Sequence, residues 1–383
     1  MLLLKKAFRK DMKGDLTMRE VFESGEGAVS LNLLQSKNQL SSNFFKRGII
    51  IGLLSGLCYG FYSSFLTLGM STGIWSEWYG ANSVLSAFVV TYMLGALGSA
   101  INDTFSAVWA IVIAACKGKL GDFFRTIKTK PGMIIAAAAL AGGPIAGTAY
   151  VISIQLAGSI VIPITALCPA VAAILSRILY KQKLTPRTIL GIAICFMASF
   201  MIASTGLGGE APKGLVLGMI VAFFAALGWG IEGCIAGYAT CMVDYEIGIT
   251  IRQITSGFTN LVILVPLFGI LSGDGLGLSA HLISAAVADK PAMMWFVVSG
   301  FCAVYSFNLW YKGNSMCGTA LGMACNATYS FFTPLCSWII LGLIMGQEGW
   351  DIPLIAWMAA VVMSVGIFVM AVNPLTFFKK KEA

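Results

Sequence analysis

Charge is what this sequence is shortest of. Only 11% of its 383 residues are Asp, Glu, Lys or Arg, against roughly 25% in an average soluble chain. So few ionic groups cannot cover a water-facing surface, and a large soluble protein is excluded. Histidine is nearly absent too: His281 is the only one, which removes histidine-built metal sites and most hydrolytic designs. None of the ten cysteines forms a C-x-x-C pair. They lie in or beside apolar stretches and read as small packing residues rather than metal ligands or disulfides. There is no HExxH, no glycine-rich phosphate loop and no basic-aromatic patch. Neither catalysis, a cofactor, ATP-driven movement nor nucleic acid is therefore expected, although the formal net charge is +8.

What the chain has in quantity is apolar sequence. Hydrophobic residues make up 58% and the mean hydropathy is +0.85. Uninterrupted apolar runs exceed ~18 residues again and again, the signature of membrane-crossing helices. Runs of that length also exclude a transmembrane β-barrel, whose strands alternate over ~10 residues. The expected fold class is all-α integral membrane.

Ten spans are expected, at about 47–70, 82–116, 131–154, 158–180, 188–204, 214–240, 247–271, 292–311, 319–345 and 352–372. Residues 1–46 form a polar, basic leader, 206–213 a linker and 375–383 a basic tail. The second span is longer than a bilayer requires, so tilt, protrusion or a kink near Gly95 and Gly98 is expected. A polar loop carrying Asp274, His281, Asp289 and Lys290 should join spans seven and eight. With the N-terminus inside, every Lys and Arg except Lys213 and Lys290 falls on the cytoplasmic side. That bias places both termini in the cytoplasm; the expected location is the cell's inner (plasma) membrane.

The chain also starts again at its middle. Lys213-Gly214-x-x-x-Gly218 repeats Arg47-Gly48-x-x-x-Gly52, an offset of 166 residues, and Pro169 in span four matches Pro334 in span nine at an offset of 165. Two halves, 47–205 and 214–374, each with five spans, must insert in opposite orientations. The expected architecture is two inverted five-helix repeats, an arrangement that lets one site open alternately to each side.

This layout resembles the drug/metabolite transporter superfamily in its ten-helix form, built from two EamA-type domains. The likeness rests on the glycine-rich openings of spans one and six, on Pro169 and Pro334, on Gly346-Gln347-Glu348 before span ten, and on Leu184-Thr185-Pro186 before span five. It covers about 46–374. Lys183 departs from the pattern, standing where the family often has an acid. The resemblance implies transport of a small metabolite or organic cation without naming the cargo.

Several residues are candidates for the chemistry. A carboxylate inside a membrane costs ~2.5–3.5 kcal/mol on insertion scales unless paired, hydrated or protonated. Glu232 sits in span six between Gly230 and Gly233, in a stretch similar to the first-helix glutamate region of small multidrug resistance proteins. It either binds a proton or cationic group, or is held in water or by Arg252 near the cytoplasmic end. Arg177 and Arg252 are expected at the cytoplasmic headgroups. Asp103, with Asn102 and Thr104, is either a polar notch on a pathway or a solvated acid on a protruding helix. Glu77 and the pair Asp244 and Glu246 follow spans one and six, as gates at the two mouths or as solvated loop ends. Trp75, Trp78 and Trp350 suit the interfacial belt. Tyr59, Trp229, Tyr305 and Tyr329 lie within spans and suit a cavity wall, and Gln155, Asn308, Asn326 and Thr328 add hydrogen-bonding groups.

The function expected is alternating-access transport by a secondary transporter, coupled to protons through Glu232 or Asp103, or working by exchange. Its partners would be a small-molecule substrate, protons and the lipid bilayer, with a homodimer left open. The alternatives are a rhamnose-type sugar/proton symporter, suggested by Gly142-Gly143-Pro144-x-x-Gly147-x-x-Tyr150 in span three, and a channel, which would more often show a repeated ring of charges or carbonyls.

Overall fold

The computed structural model describes residues 25–80, 83–157, 162–165, 167–181, 184–204, 214–240, 242–348 and 350–371. The chain divides into two compact units, 1–47 and 48–383. In the first, the described residues are helical. The leader before residue 25, the linker at 206–213 and the tail after 371 lie outside the described residues, as does Lys183.

The larger unit is all helix among the described residues. Seven helices are long and apolar enough to cross a membrane. They are α1 (Gly25–Met70, of which Ser42–Met70 is the membrane-length part), α3 (Val89–Cys116), α5 (Lys130–Ser153, with helical residues on to Ala157), α8 (Leu215–Ala239), α9 (Tyr245–Leu271), α11 (Lys290–Cys317) and α12 (Thr319–Ile344). Where the sequence expects spans four, five and ten stand shorter apolar helices, α6 (Cys168–Tyr180), α7 (Pro186–Ser204) and α13 (Leu354–Ala371). Among the described residues further helices connect them: α2 (Ile74–Tyr79), α4 (Leu120–Thr126), α10 (Gly275–Ala288) and one turn at Ile162–Thr165. The protein is an α-helical membrane protein.

Local chemistry sets the helix starts. Thr129 caps α5, accepting from Gly132 N–H, with Pro131 in the first turn. Asp244 caps α9, accepting from Glu246 and Ile247 N–H. Asp289 caps α11 ahead of Pro291 and also accepts from Ile74 N–H, which ties α2 to α11. Each cap satisfies amide donors that the first turn of a helix leaves free.

Among the described residues four helices widen into a π-turn, at Val89–Met93, Ala141–Gly147, Asn260–Leu264 and Trp338–Ile344. Proline accounts for two of them. Pro144 lies inside the second, and Pro266 follows the third; neither offers an N–H to the carbonyl four residues back, and each ring crowds that carbonyl.

Three expectations change here. Span two begins at Val89, not at residue 82; its 28 residues still exceed the ~20 that a bilayer requires, and its irregularity is the π-turn just before Gly95. The polar loop between spans seven and eight is largely the helix α10: its apolar residues recur at helical spacing, and Leu282 and Ala286 are buried. Trp75 and Trp78 are buried at 0% and 8% exposure in a cluster with Met93, Leu97, Leu282 and Phe296, not spread at an interface. The Trp75 ring meets Phe296 at 5.3 Å.

In the core α9 and α11 pack along α3, while α8 packs along α5 and α6. The pair α7 and α13 packs chiefly against itself, with Cys195 Sγ reaching the Met363 carbonyl at 3.7 Å.

Candidate functional site

A cavity of about 680 Å³ lies among α1, α3, α5, α8, α9, α11 and α12. It extends to Ser71, Ser76, Tyr79 and Gly80, in the connection after α1. Its deeper wall carries Asp103, Tyr150, Trp229 and Arg252. A concave site with mostly apolar walls and a few convergent polar groups is the usual form of a small-molecule pocket.

Asp103 stands 14 residues after Val89 and 13 before Cys116, ~20 Å from either end of α3 at 1.5 Å per residue. It is therefore at mid-helix, in the notch and not on a protruding end. Two side chains of α9 donate to the same carboxylate oxygen, Ser256 Oγ and Asn260 Nδ2, the latter at 3.0 Å. Among the described residues no Lys or Arg forms an ion pair with it. Its neighbour Asn102 is turned into protein, accepting from Ser299 Oγ of α11 at 2.6 Å.

Glu232 has the opposite environment. It is fully buried, and Arg252 grips it with two nitrogens, Nε at 2.8 Å from Oε1 and Nη2 at 3.3 Å from Oε2. Tyr311 adds its hydroxyl at 3.3 Å from Oε1. Arg252 is 2% exposed, donates also to Gln253, and lies with its guanidinium carbon 4.0 Å from the centre of the Phe307 ring. The expectation that Arg252 faces the headgroups is corrected: it is turned inward by a buried carboxylate and an aromatic face, and it borders the cavity. The forked geometry matches a carboxylate two bonds at a time, the strong form of such a pair.

The π-turn of α5 brings backbone up against this pair. A Cβ on Gly142 would fall within the Glu232 carboxylate, and one on Gly143 within the Ser256 hydroxyl. Only glycine lets α5 pass at that distance. Trp229 Nε1 donates to the Gly142 carbonyl at 3.0 Å, and its ring meets Tyr150 at 5.1 Å. Tyr59 lines the cavity as well, stacked on Tyr329 at 4.4 Å and edge-on to Tyr62 at 4.7 Å.

The cavity thus brings together Asp103, Trp229 and Tyr59, with Tyr329 behind Tyr59 and Glu232 behind Arg252. Other candidates lie elsewhere. Tyr305 is 42% exposed, beside Phe301, on an outer face of α11. Asn326 donates to Ser55 Oγ at 2.6 Å and joins α12 to α1. Asn308 is half-buried outside the cavity wall, its side-chain oxygen without a partner. Thr328 Oγ1 donates to the Cys325 carbonyl. The Gln155 side chain lies outside the described residues.

The gate candidates divide. Glu77 is exposed at the cavity mouth region, on α2. Asp244 and Glu246, at the start of α9, are engaged: Lys119 lies 3.1 Å from Asp244 and 2.7 Å from Glu246, and Lys117 also pairs with Glu246. The hydrogen bond to Glu246 raises the Lys117 ammonium above the ordinary lysine range. Beside these pairs Phe123 of α4 packs in one cluster with Val243, Ile247 and Ile251.

The polar face of α9 was not singled out from sequence, yet its spacing carries a signal. Arg252, Ser256 and Asn260 recur every four residues, which puts all three on one side of a helix. Of the same kind are Ser99 and Asp103 on α3.

No protein-family model and no curated protein matches this sequence. A protein known from its crystal structure has a similar fold, with a TM-score of 0.58 over 88% of this chain and 99% of its own, at 16% identity. At that identity the likeness concerns the fold alone: this chain shares its helical architecture with a second protein over nearly its whole length.

Proposed function

We propose that the protein is a secondary transporter of the drug/metabolite transporter type, moving a small polar metabolite or organic cation through the central cavity by alternating access. The observation that carries the reading is the cavity's asymmetry. It reaches the connection after α1 at one end, while at the far ends of α3 and α9 charged pairs join Lys117 and Lys119 to Asp244 and Glu246. A pocket closed on one side and walled by helices from both halves of the chain suits a solute carrier better than a continuous pore.

An arrangement of ten spans in two inverted repeats belongs to the same proposal. The glycine-rich openings exchange partners between the halves. A Cβ on Gly52 of α1 would meet Cys325 of α12 at 2.7 Å, and one on Gly218 of α8 would meet Ala157 of α5 at 2.6 Å. Each opening packs against the other half, as two related bundles around a shared pocket would. The distribution of Lys and Arg then puts both termini, and the closed end, in the cytoplasm. This is an outward-open state.

Within this reading Glu232 is a structural charge and Asp103 the free one. A sugar is the second cargo class, because Gly142, Gly143, Gly147 and Tyr150, the residues that suggested it, all line the cavity. Uptake into proteoliposomes of labelled deoxysugars, against quaternary and primary amines, tests both. Transport of one class, abolished by Trp229→Ala, is the expected result. Steady single-channel currents in planar bilayers would contradict a carrier.

A further inference from the structure

One atom in the site lacks an explanation. Asn260 is 1% exposed and its side-chain oxygen has no hydrogen-bond partner, although the nitrogen of the same amide donates to Asp103 at 3.0 Å. The amide cannot simply be turned round, because a carboxylate accepts only and would then face an oxygen. A buried acceptor left without a donor costs about 1–3 kcal/mol. Directly beside it sits a carboxylate that forms no ion pair among the described residues, though the Arg252 charge on the same cavity wall acts on it from a distance; the Ser256 hydroxyl donates to it as well. An acceptor without a donor and a carboxylate without a counter-ion in contact coincide at mid-helix.

We infer that Asp103, Asn260 and Ser256 form a binding site for a small monovalent metal cation of the sodium type, seated between α3 and α9 at the cavity wall. Hard cations take oxygen ligands, and sites of higher charge gather more carboxylates. Here one carboxylate meets neutral amide and hydroxyl oxygens, a set that balances a single positive charge. No group of three His, Cys, Asp or Glu side chains exists among the described residues, which goes against a divalent metal here. The cavity admits water to complete the shell, and Ser99 lines it one turn before Asp103 on the same helix.

The surrounding backbone is arranged to hold these groups close. A Cβ on Gly257 would lie 3.0 Å from the Asp103 carbonyl oxygen, so α9 approaches α3 nearly backbone to backbone at this level. Asn260 is the first residue of the π-turn that Pro266 helps to open. Widened or unwound helices at mid-membrane are where transporters commonly coordinate their coupling ion. A cation bridging α3 and α9 would favour the arrangement in which these helices are closest, and so link ion occupancy to the state of the cavity. The inference gives the proposed transporter its coupling ion and rests on that reading for its purpose, though not for the binding itself.

The test is a titration of the purified full chain with sodium chloride at constant ionic strength, balanced by choline chloride, read as thermal unfolding. Equilibrium binding of radioactive sodium gives the stoichiometry. The expected result is a saturable rise in melting temperature, about one sodium per chain, and loss of both in Asp103→Asn and Asn260→Ala. Both variants should still give the wild-type circular dichroism and elution volume. Ser256→Ala should weaken binding several-fold. A melting temperature that follows pH but not sodium, with no bound sodium, would overturn the site and leave Asp103 to a proton. Sodium binding with no solute uptake of any class would sink the transport reading and leave the cation site standing.

Discussion

Glu232 and Asp103 are both carboxylates within membrane-length helices, and their surroundings could hardly differ more. Glu232 is shut away and neutralised, with two Arg252 nitrogens and the Tyr311 hydroxyl around it. Asp103 faces the cavity and receives only neutral donors. The flanking glycines make Glu232 the more conspicuous acid in the sequence, but these glycines serve close packing: Gly230 abuts Val171 and Gly233 abuts Met323. A buried charge with a fitted counter-ion is part of the frame, whereas one without it is available to something that enters.

Arg252→Met leaves Glu232 buried and uncompensated, and should destabilise the protein by ~3–5 kcal/mol. Removing both charges, as Glu232→Met with Arg252→Met, should restore most of that loss, because well-packed apolar residues often replace a buried pair at little cost. Chemical or thermal unfolding in detergent measures both; a double variant destabilised by the sum of the two single substitutions would show that the charges act separately.

Next in size is Gly142→Ala, which drives a methyl group into the Glu232 carboxylate. Overpacking of this kind costs about 1–3 kcal/mol, visible as a lower melting temperature and a protein more prone to aggregate. Trp229→Phe keeps the ring but removes the donor to the Gly142 carbonyl, with an expected loss of ~0.5–1.5 kcal/mol. A melting temperature equal to wild type would mean that the π-turn does not depend on this bond.

The charged pairs at the end of α3 lie partly in solvent, where such bridges are worth ~0–1 kcal/mol each. Lys117→Ala with Lys119→Ala should therefore barely change stability, yet increase labelling of introduced cysteines from that side. Lys117 has its affinity for a proton raised by Glu246. Its contribution is fully present below the ordinary lysine pKa and is lost as pH climbs through the raised value. Labelling from this face should accordingly grow at alkaline pH, and again at acid pH once the carboxylates of these pairs are protonated. Asp103→Asn should have the smallest effect of all on the fold, since Ser256 and Asn260 can still hydrogen-bond an amide, while uptake disappears. That dissociation of stability from activity is the mirror image of Arg252→Met.

Much of the architecture could be read from the sequence, because hydrophobic length is a local property. The starts of α5, α9 and α11 follow from Thr129, Asp244 and Asp289, and the apolar runs at α1, α8 and α9 stand out without help. α10 was hidden because Asp274, His281 and Asp289 mark its region as polar, while the burial of Leu282 depends on α2 and α11 arriving from elsewhere in the chain. The site was legible in part. Asp103, Trp229 and Tyr59, which border the cavity, and Tyr329, stacked on Tyr59, stand out in the sequence because a polar or amphipathic group inside a span needs a partner. Arg252 was misplaced because position along a helix says nothing of which way a long side chain turns. Its inward course is set by Glu232, 20 residues away, and by Phe307 on another helix. Tyr305 failed for the complementary reason: a tyrosine within a span can equally well face outward.

Alternating access requires that the wall beside Asp103 be reached from the two faces of the membrane in turn. Ser99→Cys, in a background stripped of the native cysteines, places a reporter one helical turn from Asp103. It should react with a membrane-impermeant thiol reagent applied on the side of residues 71–80. With Lys117 and Lys119 replaced by alanine it should become reactive from the opposite side, at the expense of the first. Reaction from one side alone under every condition, or from both at once, would contradict alternating access.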